Sequence, residues 1–310
     1  MVEKQQIFWE QYGSCLRLSN GSIEAIVSVD VGPRVLFFGF VGGENIMNAN
    51  RKEFPSVANA AMDSHYYPGA VWENLGGHRL WFSPEKMPDT YYPDTNPVAY
   101  TLTTHGVILT PLPQHENGLA MEIELIMDEK APTMEVLHRI TNLADEPKDL
   151  ALWALSVCEK GGLVILPMND RDTGLLSNRH IAVWPYTDLG DPRLYFGNRY
   201  VTLQQDPSVN KPLKLGFDLE KGKLWYVLKN SVFEKSYTPN HPHGRYPDGG
   251  VSAEIYTCPF FTEVESLSEQ AVLASGATAS HTERWTMRRK PCEVEAKNEN
   301  SVAAFVAQLS

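Results

Sequence analysis

Residues 119–157 read LAMEIELIMDEKAPTMEVLHRITNLADEPKDLALWALSV, and this stretch sets the fold class. It contains three short runs, Leu119–Met127, Thr133–Ile140 and Leu150–Val157, rich in alternating or β-branched residues. Asn117-Gly118 precedes the first run, and Asp145-Glu146-Pro147 separates the last two. Such residues favour tight turns. The same grammar recurs outward in both directions, at Ser22–Val29, Arg34–Phe40, Arg199–Gln204, Lys223–Leu228, Val251–Tyr256 and Ser280–Met287. Asn20-Gly21, Gly42-Gly43, Lys221-Gly222 and Asp248-Gly249-Gly250 supply further turns. Many short strands without intervening amphipathic helices predict an all-β sandwich or barrel, not a βαβ sheet. Helix is expected only as a turn or two at Pro55–Met62 and in the tail Val294–Leu309. Residues 1–290 are read as one β domain and 291–310 as a tail with a short helix. Ser83 to Pro97, with four prolines and Tyr91-Tyr92, reads as a long irregular loop. Such loops are often binding walls or lids.

The chain has 310 residues, 43% of them hydrophobic, which is enough for a real core. A net charge of -11 leaves no basic stripe for a phosphate backbone, so no nucleic-acid partner is expected. No apolar run reaches the length of a membrane span. The amino terminus MVEKQQIFWEQYG has no apolar segment of a leader. Cys15, Cys158, Cys258 and Cys292 are scattered, with neither zinc nor disulfide spacing. A cytoplasmic protein is the expectation. No P-loop, GxGxxG, GxSxG or HExxH motif occurs, so no cofactor is expected.

Three groups of residues have side chains suited to chemistry. Gly76-Gly77-His78-Arg79-Leu80-Trp81 joins two glycines to an imidazole, a guanidinium and an indole. Arginine clasps hydroxyls or a carboxylate, histidine exchanges protons near neutrality, and an indole offers a flat apolar face. The same residues also fit a glycine hairpin with an Arg79–Glu85 ion pair and a core Trp81. Further on, Tyr246-Pro247-Asp248-Gly249-Gly250 turns into a strand on which Ala253, Ile255 and Thr257 share one face. Glu254 points the other way with Ser252 and Tyr256. A carboxylate there suits a general base, or a solvated surface position. Lys235, His241, His243 and Arg245 lie ahead of it. His241 and His243 lack a third ligand at metal spacing, so no metal is expected. His138 shares a face with Val136 and Ile140 and reads as a core residue. Asn169, Arg171, Asp172 and Trp184-Pro185-Tyr186 fit either a groove wall or ordinary loop packing.

Three separated blocks, Gly21–Met47 (GSIEAIVSVDVGPRVLFFGFVGGENIM), Val136–Pro147 (VLHRITNLADEP) and Tyr246–Glu265 with Ala274–Trp285 (ASGATASHTERW), together resemble the galactose mutarotase-like, or aldose 1-epimerase-like, superfamily. The resemblance implies a supersandwich of two large antiparallel sheets with a substrate groove on a concave sheet surface. It implies a carbohydrate ligand and anomer interconversion by general acid/base catalysis. Glu254 matches the family's base, and His78 and Arg79 its first substrate-contacting motif. Trp81, Arg171, Lys235, His241, His243 and Asp248 complete the expected substrate contacts. The strand on which the family carries its acid histidine reads Ala151-Leu152-Trp153-Ala154-Leu155-Ser156 here. That departure leaves another imidazole, His78, His241 or His243, as the acid, with His78 the expected catalytic partner of Glu254, or a sugar-binding or regulatory protein that kept the groove without the chemistry. Lyase or hydrolase chemistry on a saccharide is a third reading.

Overall fold

The computed structural model describes residues 1–309. Ser310, the end of the expected tail, lies outside the described residues. Among the described residues there are twenty-three strands, two short α-helices and one 3-10 turn. The strands form an eleven-stranded and a ten-stranded antiparallel sheet, with one small two-stranded pair. This is the expected all-β supersandwich.

The three runs that set the fold class become Leu119–Met127, Thr133–Asn142 and Lys148–Cys158. The first two pair directly, with Ile123 opposite His138, in the ten-stranded sheet. The third crosses to the other sheet, so one turn at residues 143–147 joins the two layers. Leu119–Met127 buries every second side chain, whereas Leu150–Cys158 is buried on both faces. A strand covered on both sides signals that something lies over the outer face as well as the inner one.

Between the sheets sits the main core, which includes Leu18, Val35, Phe38, Leu125, Val136, Leu152, Val264, Ile255 and Trp285. Each fully buried large aliphatic residue there contributes on the order of 1.5–3 kcal/mol. A second apolar layer covers the outside of the ten-stranded sheet. Val302, Phe305 and Leu309 of the helix segment dock on Leu163, Ile165, Trp225 and Val232. Asn298 caps that helix, Glu299–Ala307, through its side-chain carbonyl.

The helix expected at Pro55–Met62 forms later, at Ala60–His65. Asn59 sets its start by accepting the Ala61 and Met62 N–H groups, while Ser56-Val57 pairs in the opposite sense with Trp72-Glu73. Ser252 also departs from expectation. It precedes the strand Ala253–Thr257, bonds the Tyr237 hydroxyl at 3.0 Å, and is absent from Glu254's face. All four cysteines are free thiols, three of them buried. No helix among the described residues is long and apolar enough to cross a membrane.

Candidate functional site

Five neighbouring strands of the eleven-stranded sheet build the site, in the order His78–Ser83, Lys148–Cys158, Thr262–Leu267, Ala253–Thr257 and Leu213–Phe217. Strand alternation sends successive side chains to opposite faces. Leu80, Leu152, Val264, Ile255 and Leu215 enter the core. Arg79, Trp81, Trp153, Glu263, Glu265, Glu254, Tyr256 and Lys214 take the other face. Glu254 stands directly opposite Glu265, and Tyr256 opposite both Glu263 and Lys214.

The glycine pair ahead of Arg79 is required by geometry. Gly76 and Gly77 have φ of 66° and 63°, and a Cβ on Gly77 would lie 2.4 Å from the Val35 carbonyl oxygen. The turn brings the strand onto its neighbours with Arg79 aimed outward.

Two hollows lie over this face. One, of about 340 Å³, is bordered by Glu254, Asp248, Trp184 and Met87. The other, of about 240 Å³, is bordered by Arg79, Lys214, Glu263, Trp72, Tyr186 and Tyr256. Glu85, Tyr91 and Trp153 line both, so the two are halves of one groove. Glu85 and Tyr91 come from the proline-rich 84–98 segment, which forms one wall. Trp72, Trp81, Trp153 and Tyr91 pack edge to face or tilted, with centroids 5.1–5.6 Å apart.

The floor is charged. Lys214 Nζ lies 2.7 Å from Glu254 Oε2 and 3.5 Å from Glu265 Oε2, and 4.4 and 4.7 Å from the Trp153 and Trp184 rings. Trp153 Nε1 donates to Glu265 Oε2 at 2.7 Å. Arg79 stacks on Trp81, 4.4 Å from its centroid, and donates to Glu263 at 3.1 Å. Burial alone would depress Lys214, but the Glu265 and Glu254 carboxylates outweigh it and hold the ammonium protonated. Burial pushes the Glu254 carboxyl well above its ordinary range; Lys214 opposes this, and Glu265 adds to it. Glu263 is raised by burial too, against the pull of Arg79. Three buried carboxyls thus share two cations, and a carboxyl short of a counter-charge keeps its proton toward neutrality.

Several buried polar atoms of this floor have no partner among the described residues: Glu254 Oε1, Glu265 Oε1, Arg79 Nε and Nη1, and Trp72 Nε1. Buried donors and acceptors are ordinarily satisfied. Of these residues, Glu254, Arg79 and Trp72 line the aromatic-walled groove, so it is bordered by both kinds.

Of the residues expected from sequence, the structure brings together Glu254, Arg79, Trp81 and Asp248. Asp248 borders the hollow at φ 52° and accepts from Ser83 Oγ at 3.3 Å. The expected Arg79–Glu85 pair is replaced by Arg79–Glu263, and Glu85 accepts from the Tyr91 hydroxyl.

His78 and Lys235 lie elsewhere. His78 points into the core, fully buried, where Nδ1 meets Ser156 Oγ at 2.8 Å and Nε2 meets His138 Nε2 at 2.7 Å. Strand parity forces this, because Arg79 next to it takes the groove face. Lys235 is also wholly buried, paired with Glu283 at 2.9 Å and donating to the Val264 carbonyl at 2.9 Å. His138 is a core residue, as its face suggested, and its Nδ1 donates to the His281 carbonyl at 2.9 Å.

His78, His138 and Glu283 are close enough to ligate one metal ion. Their geometry suits hydrogen bonding better. Two imidazole nitrogens on one tetrahedral zinc stand about 3.3 Å apart, and the Lys235 ammonium already neutralises Glu283. His241 pairs with Asp218 and stacks on Tyr246, His243 is exposed, and Arg171 pairs with Glu220 at 2.7 Å. None of these three residues borders the groove.

Sequence reading missed Lys214, Glu263, Glu265, Trp72 and Trp153 as site residues. The available signal was polar residues alternating with apolar ones in LKLGF (213–217) and TEVESL (262–267). Both segments are wholly buried, so their charged residues require partners.

Comparison with solved structures places this architecture. A proposed aldose 1-epimerase from Klebsiella pneumoniae superposes over 99% of this chain and 87% of its own, with a TM-score of 0.58 at 12% identity. A galactose mutarotase-like protein from Lactobacillus casei covers 88% of this chain and 100% of its own, with a TM-score of 0.54 at 11% identity. The fold is that of the galactose mutarotase-like proteins. A further galactose mutarotase-like protein, from Clostridium acetobutylicum, matches 93% of this chain and 98% of its own, with a TM-score of 0.54 at 10% identity. No family model matches the chain, and no curated protein sequence does at a significant level. At these identities the galactose mutarotase-like likeness is one of fold.

Proposed function

We propose that the groove binds a carbohydrate and that the protein is an aldose 1-epimerase-like isomerase. The observation that carries this is the set of unpartnered buried donors and acceptors on an aromatic-walled floor. A polyhydroxylated ring supplies both donors and acceptors, and its C–H faces suit the indoles. The named solved relatives support the reading by their descriptions.

Glu254, whose ionised form is favoured by the Lys214 ammonium 2.7 Å away and whose burial makes that carboxylate more basic, takes the proton from the anomeric hydroxyl. The C1–O1 bond becomes a carbonyl while the C1–ring oxygen bond breaks, and that oxygen takes a proton from an acid. Rotation about C1–C2 and reversal of these steps return the other anomer with no net change in protons. No histidine borders the groove among the described residues, so the acid is assigned to a carboxyl. Glu263, buried and raised, stands diagonally from Glu254 across two strands. That separation, about 7–8 Å between backbones, leaves room for the reacting atoms between the two groups.

The missing groove imidazole favours one other reading, a protein that binds the sugar without turning it over. Anomer exchange followed by polarimetry or exchange NMR over a panel of aldoses separates the two. The isomerase reading expects acceleration that Glu254→Gln abolishes while binding persists. Binding without exchange in the unaltered protein sinks it in favour of the second reading.

A further inference from the structure

The groove is larger and more acidic than a single charged sugar would require. Its two hollows share Glu85, Tyr91 and Trp153 as a common divide, and each has its own outer aromatic wall. Trp184 overlooks one hollow and Tyr186 the other, from the same turn. Each hollow suits one pyranose ring, and together they match the usual size of a small-ligand site.

The charge pattern narrows the ligand further. Glu85, Asp248, Glu254 and Glu263 border the groove against two cations, Arg79 and Lys214. Both cations are already ion-paired, Arg79 through Nη2 with Glu263 and Lys214 with Glu254 and Glu265, so neither offers an unbalanced positive charge. Arg79 Nε and Nη1 remain as hydrogen-bond donors. The other cations expected near an anionic group are paired elsewhere: Lys235 with Glu283, Arg171 with Glu220, Arg245 with Asp149. A carboxylate or phosphate on the ligand would enter a low-dielectric floor where carboxyl groups outnumber cations and no counter-charge is free to pair with it.

We infer that the ligand is a neutral saccharide of at least two linked sugar rings, one in each hollow, and that anionic sugars are excluded. This rests on the carbohydrate reading above and adds length and charge to it.

Calorimetric titration of the full chain tests the inference. The probes are glucose, galactose and mannose, the disaccharides maltose, cellobiose and lactose, and the charged sugars glucuronate, galacturonate and glucose 6-phosphate. At least one disaccharide is expected to bind about tenfold tighter than its component monosaccharides, and each charged sugar about tenfold weaker than its neutral parent. Trp184→Ala and Tyr186→Ala sit at the groove rim, where Trp184 is only partly buried and Tyr186 is 48% exposed. An unchanged melting temperature confirms that each variant folds. Each of the two is expected to weaken disaccharide binding by a larger factor than monosaccharide binding, because it removes the outer wall of one hollow only. Equal affinity for one and two rings, or tighter binding of a charged sugar than of its parent, overturns the inference. A monosaccharide that binds and exchanges anomers with no gain from a second ring overturns this inference alone. No binding by any sugar overturns both readings.

Discussion

His78 and Arg79 are consecutive residues on one strand, yet the imidazole is sealed in the core while the guanidinium lies in the groove. The buried side of that strand belongs to a polar network linking the two sheets. Ser156 donates to His78, His78 to His138, and His138 to the His281 carbonyl, a chain that both imidazoles satisfy when neutral. Ser266 bridges His281 Nε2 and Glu283 Oε1, each at 2.6 Å.

Acid destabilisation follows from this network. Burial lowers His78 and His138, and it lowers His281 to about 3. The unfolded chain takes up protons on these residues near pH 6.5, whereas the folded chain resists doing so. Stability contributed by neutral His281 is therefore complete above pH 6.5 and is lost as the pH falls toward 3. Between pH 6.5 and 5 the loss is about 2 kcal/mol for that one residue. Urea unfolding at pH 7 and pH 5 checks this. His281→Gln should flatten the pH dependence by about that amount, and an unchanged slope would refute the assignment.

Lys214 offers a second test, on the groove face. Replacing it with methionine removes the ammonium from between Glu254 and Glu265 and leaves buried carboxylates facing each other. Breaking a buried pair in this way costs about 3–5 kcal/mol. The raised Lys214 pKa places this stability fully below the lysine range, so it is present at pH 7 and lost only at strongly alkaline pH. In Lys214→Met the remaining carboxyls relieve their repulsion by protonation. The deficit measured by denaturant at pH 7 should therefore shrink at pH 5, and a deficit independent of pH would point to packing alone.

Gly77→Ala tests the turn that aims Arg79. The left-handed φ strains any L side chain, and the new Cβ would meet the Val35 carbonyl backbone at 2.4 Å. The expected cost exceeds about 1 kcal/mol and is larger than that of Gly42→Ala, a left-handed site where a Cβ meets nothing within 4 Å. Equal melting temperatures for the two variants would show that the close approach is relieved elsewhere.

These residues also show what was legible from sequence. Strand runs such as Leu119–Met127 carry their period in the chain itself, so the sandwich could be read directly. Glu254 could be placed on the face opposite Ala253 and Ile255 by parity within one strand. Parity does not say which face meets the other sheet, and for His78-Arg79 that was the question. The face was fixed by neighbours distant in sequence, Ser156 and His138 on one side and Glu263 on the other. Lys214, Glu263 and Glu265 show only polar–apolar alternation in sequence, and their joint role emerges beside one another on strands ordered by tertiary pairing.

The carboxyl-terminal helix makes the last prediction. Phe305 is fully buried, and with Val302 it covers Leu163, Ile165 and Trp225 on the outer face of the ten-stranded sheet. Without it that face would expose a contiguous apolar patch to water. Phe305→Ala should cost about 3–5 kcal/mol, read as a lower denaturant midpoint with an unchanged slope. The helix lies against the sheet opposite the one that bears the groove, so ligand affinity measured well below the melting temperature should not move. A loss of affinity at full folding would show that the two sheets are coupled more tightly than their separate apolar layers imply.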